Sequence, residues 1–461
     1  MKQYVAFINN KRYETILFWT VCFVLSVLQY FYGLQHFYYD AERYWESGRE
    51  MKVDGVFSLV NHVTQRGVLF PLFNYGLIEL LGYIDWHEIS VFKCISTVFC
   101  MWGFWYLLPD VFRKVTGQSL TNLHKLVLIT IANIFWFRYF SCPLSDFLCF
   151  FLLLWGFLLL WSEKASWIKV IVAGIVCGIV FNTRPIYVLL LGIYPIFYLI
   201  SSRASWTIKG LHIALLLVFA MAVNLPQYYV NKKVWGVETF FQPTEKYYQG
   251  RNLYLMQLKW GLYVQKYETY VGDTSCYASV PVFYYHDKNT ALTVEQPAAQ
   301  QIETYEQYFA YLKQHPVCVL WYAKNVFNGL DIQYNTPYIY DLKPQLWFAF
   351  MNYLIWATGF ILIVLCWKVW AQSKAFVFLV ASILLTSALA VPTATEVRFL
   401  LGLYCLIYLV VVSQFHELVV FWKNSSVRSR FMITGFYVLF VLVCVYLSQT
   451  TFQQLLFEIK C

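Results

Sequence analysis

Residues 67–84 read GVLFPLFNYGLIELLGYI, and the topology of the whole chain turns on whether this stretch crosses a membrane. It is apolar enough to do so. Counted as a span, however, it would put the basic segment 109–125 outside and invert every loop that follows. It also carries Pro71, Asn74 and Glu79, which fit poorly in hydrocarbon. The stretch is therefore read as a helix lying in the outer membrane–water interface.

The surrounding composition excludes a soluble globular protein. Apolar residues make up 60% of the 461, and charged residues 13%, about half the share of an ordinary soluble domain. Apolar runs of roughly 17–25 residues, each long enough to cross the hydrocarbon as a helix, recur along the chain. Eleven spans are expected: 14–34, 88–108, 125–141, 146–161, 167–182, 185–201, 209–228, 346–367, 374–392, 398–421 and 431–449. With the N-terminus in the cytoplasm, the cytoplasmic segments hold fifteen basic residues: Lys2, Lys11, Arg12, Arg113, Lys114, Lys125, Lys164, Lys169, Arg203, Lys209, Lys368, Lys374, Lys423, Arg428 and Arg430. The short loops opposite, near 142–145, 183–184 and 393–398, hold only Arg184 and Arg398. This is the positive-inside pattern, so the net charge of +9 reflects topology and calls for no nucleic-acid partner.

The expected fold class is an all-α polytopic membrane protein with about eleven transmembrane helices, outer-face interfacial helices and a mixed outer loop domain. An N-terminal membrane module, 1–228, carries a first outer loop at 35–87; a large outer loop, 229–345, and C-terminal membrane helices, 346–461, follow. The first span has no small-residue cleavage site after it and is read as a retained helix. The large loop has one clear helical stretch, 301–328, broken at Pro316. The twelve cysteines fall mostly inside spans. Cys276 and Cys318 share the large loop, where pairing is open in an oxidising compartment. No zinc-like Cys/His spacing occurs.

Charges beside hydrocarbon mark function by default. Lys93, Arg138, Asp146, Arg184, Glu396 and Arg398 cluster at the outer ends of spans. Pumps and ion-coupled transporters place carboxylates or broken helices at mid-depth; this pattern suits a reaction at one membrane face instead. Asp40, directly after the first span, is either a general base acting on a hydroxyl or the N-cap of a helix starting near 41. Glu46 and Glu50 are at helical spacing from Arg43 and Arg49, as on a solvated face. Arg66, Arg184 and Arg398 are either interfacial anchors or holders of a phosphate at headgroup level, which guanidinium binds bidentately. Asp146 is a helix N-cap or a partner for the site.

The run DAERYWESGREM (40–51) resembles the first-loop motif of GT-C fold glycosyltransferases. It is especially similar to the bacterial lipid A aminoarabinose transferase and the protein O-mannosyltransferases. QRGVLFPLF (65–73), SCPLSDFLCFFLLL (141–154), GIVCGIVFNTRPIYVLLLGIYP (174–195) and EVRFLLGLY (396–404) resemble later elements of that pattern, in order. Two departures stand out: Ala41 replaces a second acid, with Glu42 one place later, and Gly67-Val68 replaces a Pro-Pro pair. A soluble C-terminal domain, expected of the oligosaccharyltransferase branch, is not seen.

The resemblance implies a bacterial cytoplasmic-membrane enzyme whose active site faces outward. It would move one sugar, with inversion, from a polyprenyl-phosphate donor to a lipid- or glycan-linked acceptor. Asp40 and Asp146 would be catalytic. Glu42, Arg43, Tyr44, Arg66, Arg184, Glu396 and Arg398 would bind substrate, the arginines holding the lipid phosphate. No cofactor is required on this reading, although an Asp-x-Glu pair leaves a divalent cation open. The alternatives are an O-antigen polymerase or ligase, which need not place an acid directly after the first span, and a flippase for lipid-linked sugars, which would line a path through the bundle with basic residues.

Overall fold

The computed structural model describes residues 11–62, 67–83, 87–161, 166–247, 250, 252–271, 280–286, 301–340, 345–370 and 372–456. The chain divides into two compact units. The first comprises Met1–Ile129, Arg138–Gly250 and Ser373–Thr386; the second comprises Thr130–Phe137, Arg251–Gln372 and Ser387–Cys461.

In the first unit α1 (Glu14–Tyr32) is followed by α2 (Tyr39–Arg49) and a short hairpin, β1 (Lys52–Val53) with β2 (Val56–Phe57). Asp54 and Gly55, both at positive φ, make the hairpin turn, as two-residue hairpin loops require. Next come α3 (Leu69–Tyr83) and α4 (Glu88–Thr116), a long helix with a π-turn at Gly103–Leu107. It stops at Gly117, whose left-handed backbone returns its N–H to the Arg113 carbonyl. Helix α5 (Asn122–Trp136) begins in the first unit and ends in the second. Returning to the first unit are α6 (Ser145–Leu160), α7 (Trp167–Thr183), α8 (Leu190–Ser201), α9 (Trp206–Ala222) and α10 (Leu225–Val230). Helices α7 and α9 pack closely because α7 offers glycine at the contact: a Cβ at Gly174 or Gly178 would lie 2.5 Å from the Leu216 or Ala220 carbonyl oxygen.

The second unit combines α11 (Leu253–Gly261), α12 (Tyr305–Gln314), α13 (Cys318–Leu330) and α14 (Leu346–Trp370) with the last residues of α15 (Lys374–Ala390), then α16 (Leu401–Asn424) and α17 (Val427–Gln453). The helical stretch expected at 301–328 is there, broken around Pro316 into α12 and α13. Thr304 and Gln307 form a capping box at its start. A four-stranded sheet has the order β5 (Tyr338–Ile339), β3 (Val264–Tyr270), β4 (Val280–Tyr285), β6 (Leu455–Leu456). Its β3–β5 pair is parallel and its other pairs are antiparallel. Leu255, Leu258, Tyr263, Ile302, Tyr308 and Cys318 form an apolar core beside it.

Five helices are long and apolar enough to cross a membrane: Glu14–Tyr32, Glu88–Thr116, Leu346–Trp367, Val397–Asn424 and Val427–Gln453. The number rises to seven if two bent pairs, Asn122–Ser141 with Ser145–Leu160 and Trp206–Ala222 with Leu225–Trp235, are each one span. Trp167–Thr183, Pro185–Ser201 and Phe376–Ala390 are shorter apolar helices. Large apolar side chains stand exposed on these helices, among them Phe23 and Phe31 on α1 and Leu439 and Leu442 on α17, a surface suited to an apolar solvent. These features are those of a helical membrane protein. Helix α3, at 15 residues, is helical as expected and too short to be counted among the spans.

Candidate functional site

The link from α1 to α2 carries the first expected site residue. Tyr38 is extended, Tyr39 sits at φ +44, and the helix is under way by Asp40. The expectation that Asp40 caps a helix starting near 41 is corrected: Tyr38 occupies the cap position without a side-chain bond, and Asp40 lies inside the first turn. The Tyr39 cap-side backbone is rare for a bulky side chain and costs roughly 1–3 kcal/mol. The surrounding structure fastens this link. Leu34 N–H donates to Ser141 Oγ at 3.3 Å, and buried Lys93 donates to Gln35 Oε1 at 3.3 Å.

Further along α2, Ala41 and Tyr44 are buried, while Glu42 and Arg43 are exposed. The solvated-face expectation holds only for Arg49, which bridges Glu46 and Glu88, each at 2.8 Å, and so ties α2 to α4. Arg43 and Glu50 make no ion pair among the described residues. Tyr44 packs edge-on against Phe70 of α3, with ring centroids 5.1 Å apart. Its backbone carbonyl accepts from Asn74 at 3.0 Å.

Tyr44 also joins α2 to the start of α6, accepting a hydrogen bond from Ser145 Oγ at 3.4 Å. The next residue, Asp146, is 5% exposed and forms an ion pair with Arg184. Leu144 holds the cap position of α6, so of the two readings of Asp146, helix cap or partner, the structure favours the partner. Arg184 closes α7 in an extended conformation, and Pro185 prevents the helix from continuing. Tyr44, Asp146 and Arg184 are thus brought into one neighbourhood of the first unit, on the helix that carries Asp40 and its direct contacts. Arg138, half-buried in the turn before α6, presents its carbonyl to Ser141 Oγ at 2.8 Å. Arg66 and Cys276 lie outside the described residues; Cys318 is buried.

Glu396 and Arg398 belong to the second unit. They form a fork, with Nε to Oε2 at 2.5 Å and Nη2 to Oε1 at 2.8 Å. The segment before them is built into the unit. Tyr267 N–H donates to the Thr395 carbonyl at 3.2 Å, Asn325 donates to the Val391 carbonyl at 3.1 Å, and a Cβ at Gly261 would overlap the Pro392 carbonyl oxygen. Beneath β3, Lys266 pairs with Glu268 at 2.9 Å, and Asp331 accepts from Tyr353 at 2.6 Å, Gln333 at 2.8 Å and Ser448 at 2.9 Å. Burial alone would lower the Lys266 pKa, but Glu268 and Asp331 carry it above the ordinary lysine value.

Sequence reasoning missed a row of buried carboxamides in the first unit. Asn182, Asn224, Gln227 and Asn231 are each at most 5% exposed and are linked side chain to side chain. The only sequence signal was four amides inside otherwise apolar runs, FNTRP and VNLPQYYVN. Among the described residues, no three His, Cys, Asp or Glu side chains gather as metal ligands. Comparison with known protein families, curated proteins and solved structures finds no match for the chain.

Proposed function

We propose that the chain is an inverting glycosyltransferase of the GT-C kind, with about eleven membrane helices. It would transfer one sugar from a polyprenyl-phosphate donor to an envelope glycan or lipid at the outer face of the bacterial cytoplasmic membrane. The observation that best supports this reading is the meeting of α2 with the start of α6. A helix whose first turn holds Asp40 touches, through Tyr44 and Ser145, the residue beside the Asp146–Arg184 ion pair. An acid and a permanently charged guanidinium are the two groups such a transfer needs. In the proposed step Asp40 takes the acceptor hydroxyl proton as the oxygen attacks the anomeric carbon from the face opposite the phosphate. The bond from the anomeric carbon to the phosphate oxygen breaks, and its electron pair leaves with the polyprenyl phosphate. Arg184, and Arg66 by sequence position, stabilise that growing charge. Asp146 holds Arg184 in place, and Glu42, Arg43 and Tyr44 border the acceptor.

Mass spectrometry of the lipid and polysaccharide fractions from cells with and without the chain tests the proposal. One hexose or pentose increment should disappear with the chain. Identical spectra from the two strains would count against any transferase reading.

A further inference from the structure

We infer that Asn182 and Gln227 are positioning residues for the transfer, which hold the Arg184 turn and the Asp40 helix at a fixed separation by way of α3; this rests on the functional reading above. The start of α3 has no cap from its own sequence. Its first free amides are taken by side chains from elsewhere: Leu69 N–H donates to Asn182 Oδ1 at 3.0 Å, and Val68 N–H donates to Gln227 Oε1 at 2.9 Å. Gly67 makes the approach feasible, because a Cβ there would overlap both the backbone and the side-chain oxygen of Asn182. The chain's departure from the Pro-Pro pattern therefore has a physical reason: α3 begins flush against the end of α7, two residues before Arg184.

The amides continue inward. Asn182 Nδ2 donates to Asn224 Oδ1 at 2.8 Å and to Gln227 Oε1 at 3.3 Å. Asn224 Nδ2 reaches the carbonyls of Gly178 at 3.1 Å and Ala220 at 2.8 Å, bolting the break between α9 and α10 onto α7. Gln227 Nε2 donates to Asn231 Oδ1 at 2.8 Å and to Gln242 Oε1 at 2.6 Å; Asn231 Nδ2 reaches the carbonyls of Thr239 at 2.7 Å and Phe241 at 2.8 Å. A buried network of this kind is rigid when fully bonded and costly when one member is removed. Helix α3 carries the rigidity to α2. Asn74 bonds the Tyr44 carbonyl, Phe70 packs on the Tyr44 ring, and a Cβ at Gly48 would lie 2.9 Å from the Tyr75 nitrogen. One helix is thus fixed at its start to the arginine turn and along its side to the acid helix. Transfer depends on such a separation, since an error of about 1 Å between reacting groups lowers rates on the order of a hundredfold.

The test uses the full chain in lipid nanodiscs, with bioorthogonal spin labels at Arg43 on α2 and Val188 after the Arg184 turn, both exposed. The native chain should give one narrow distance distribution. Gln227→Leu should shift or broaden it and weaken binding of undecaprenyl phosphate about tenfold, the effect of one misplaced charge-assisted hydrogen bond. Should Gln227→Leu not fold, Asn182→Asp keeps the acceptor for Leu69 N–H, breaks the inward links, and should move both readouts in the same direction by less. A folded variant whose distance distribution or affinity is unchanged overturns the inference. A native chain that does not bind undecaprenyl phosphate overturns the donor reading, while the distance measurement still decides whether the amides hold α2 to the Arg184 turn.

Discussion

Asp331→Ala in the second unit should be among the most damaging single substitutions outside the proposed site. The carboxylate is 1% exposed and accepts three hydrogen bonds, from Tyr353, Gln333 and Ser448. Gln333 and Ser448 also bond each other at 2.6 Å and would keep that link, whereas the Tyr353 hydroxyl loses its short bond. Lys266, fully buried, loses one of its two neighbouring anions and retains Glu268. A bond to a buried charged acceptor contributes about 1.5–3 kcal/mol, and removing one side of a buried charge cluster costs about 3–5 kcal/mol. The expected loss is therefore about 3–5 kcal/mol, against about 1–2 kcal/mol for Tyr353→Phe, which leaves the carboxylate two donors. Cysteines report on each unit separately. Cys318, Cys366, Cys405 and Cys444 are buried in the second unit, and Cys22, Cys100, Cys142, Cys149 and Cys177 in the first. Thermal unfolding followed by thiol alkylation and peptide mass spectrometry should show the second-unit thiols reacting roughly 10 °C lower in Asp331→Ala. An unchanged midpoint, or one no lower than that of Tyr353→Phe, would refute the reasoning.

Gly261→Ala should force the Pro392 backbone away, cost about 1–3 kcal/mol and lower the same second-unit midpoint; a neutral substitution would mean that the 391–396 segment yields easily. Burial, reinforced by Lys324, pushes the His286 imidazole down to about 3. Between an unfolded pKa near 6.5 and that value the unfolded chain binds a proton the folded chain does not, so stability should fall as pH drops through this window, by up to about 1.4 kcal/mol per unit. Stability that holds steady from pH 6.5 to 4, or falls equally in His286→Phe, would contradict this. Arg66→Ala should raise the donor concentration needed for transfer, and an unchanged donor dependence would remove Arg66 from the site.

Much of the helical architecture was legible because hydrocarbon imposes a single rule of length and polarity. The break at Pro316 and the helix over α3 followed from local chemistry in the same way. The start of α2 was not legible. Asp40 follows two tyrosines, and nothing local shows that Tyr39 takes a positive φ and lets the helix begin before the acid. Arg49 had two carboxylates at helical spacing and uses one of them, together with Glu88 from another helix. Strand β6, Leu455–Leu456, pairs with β4 at Phe283–Tyr284, a long-range choice that periodicity cannot record. The carboxamides announced only that something polar was buried. Their connectivity depends on α3, α7 and α10 meeting, which tertiary structure alone decides.

The central claim is that Asp40 accepts the acceptor proton in a sugar transfer at the outer membrane face. Its most direct test places Asp40→Asn, in a chain shown to be inserted and of native thermal stability, in cells lacking the native chain, and reads the envelope glycans and lipids by mass spectrometry. The account predicts that the sugar increment restored by the native chain is absent with Asp40→Asn. An increment restored in full by Asp40→Asn would contradict it.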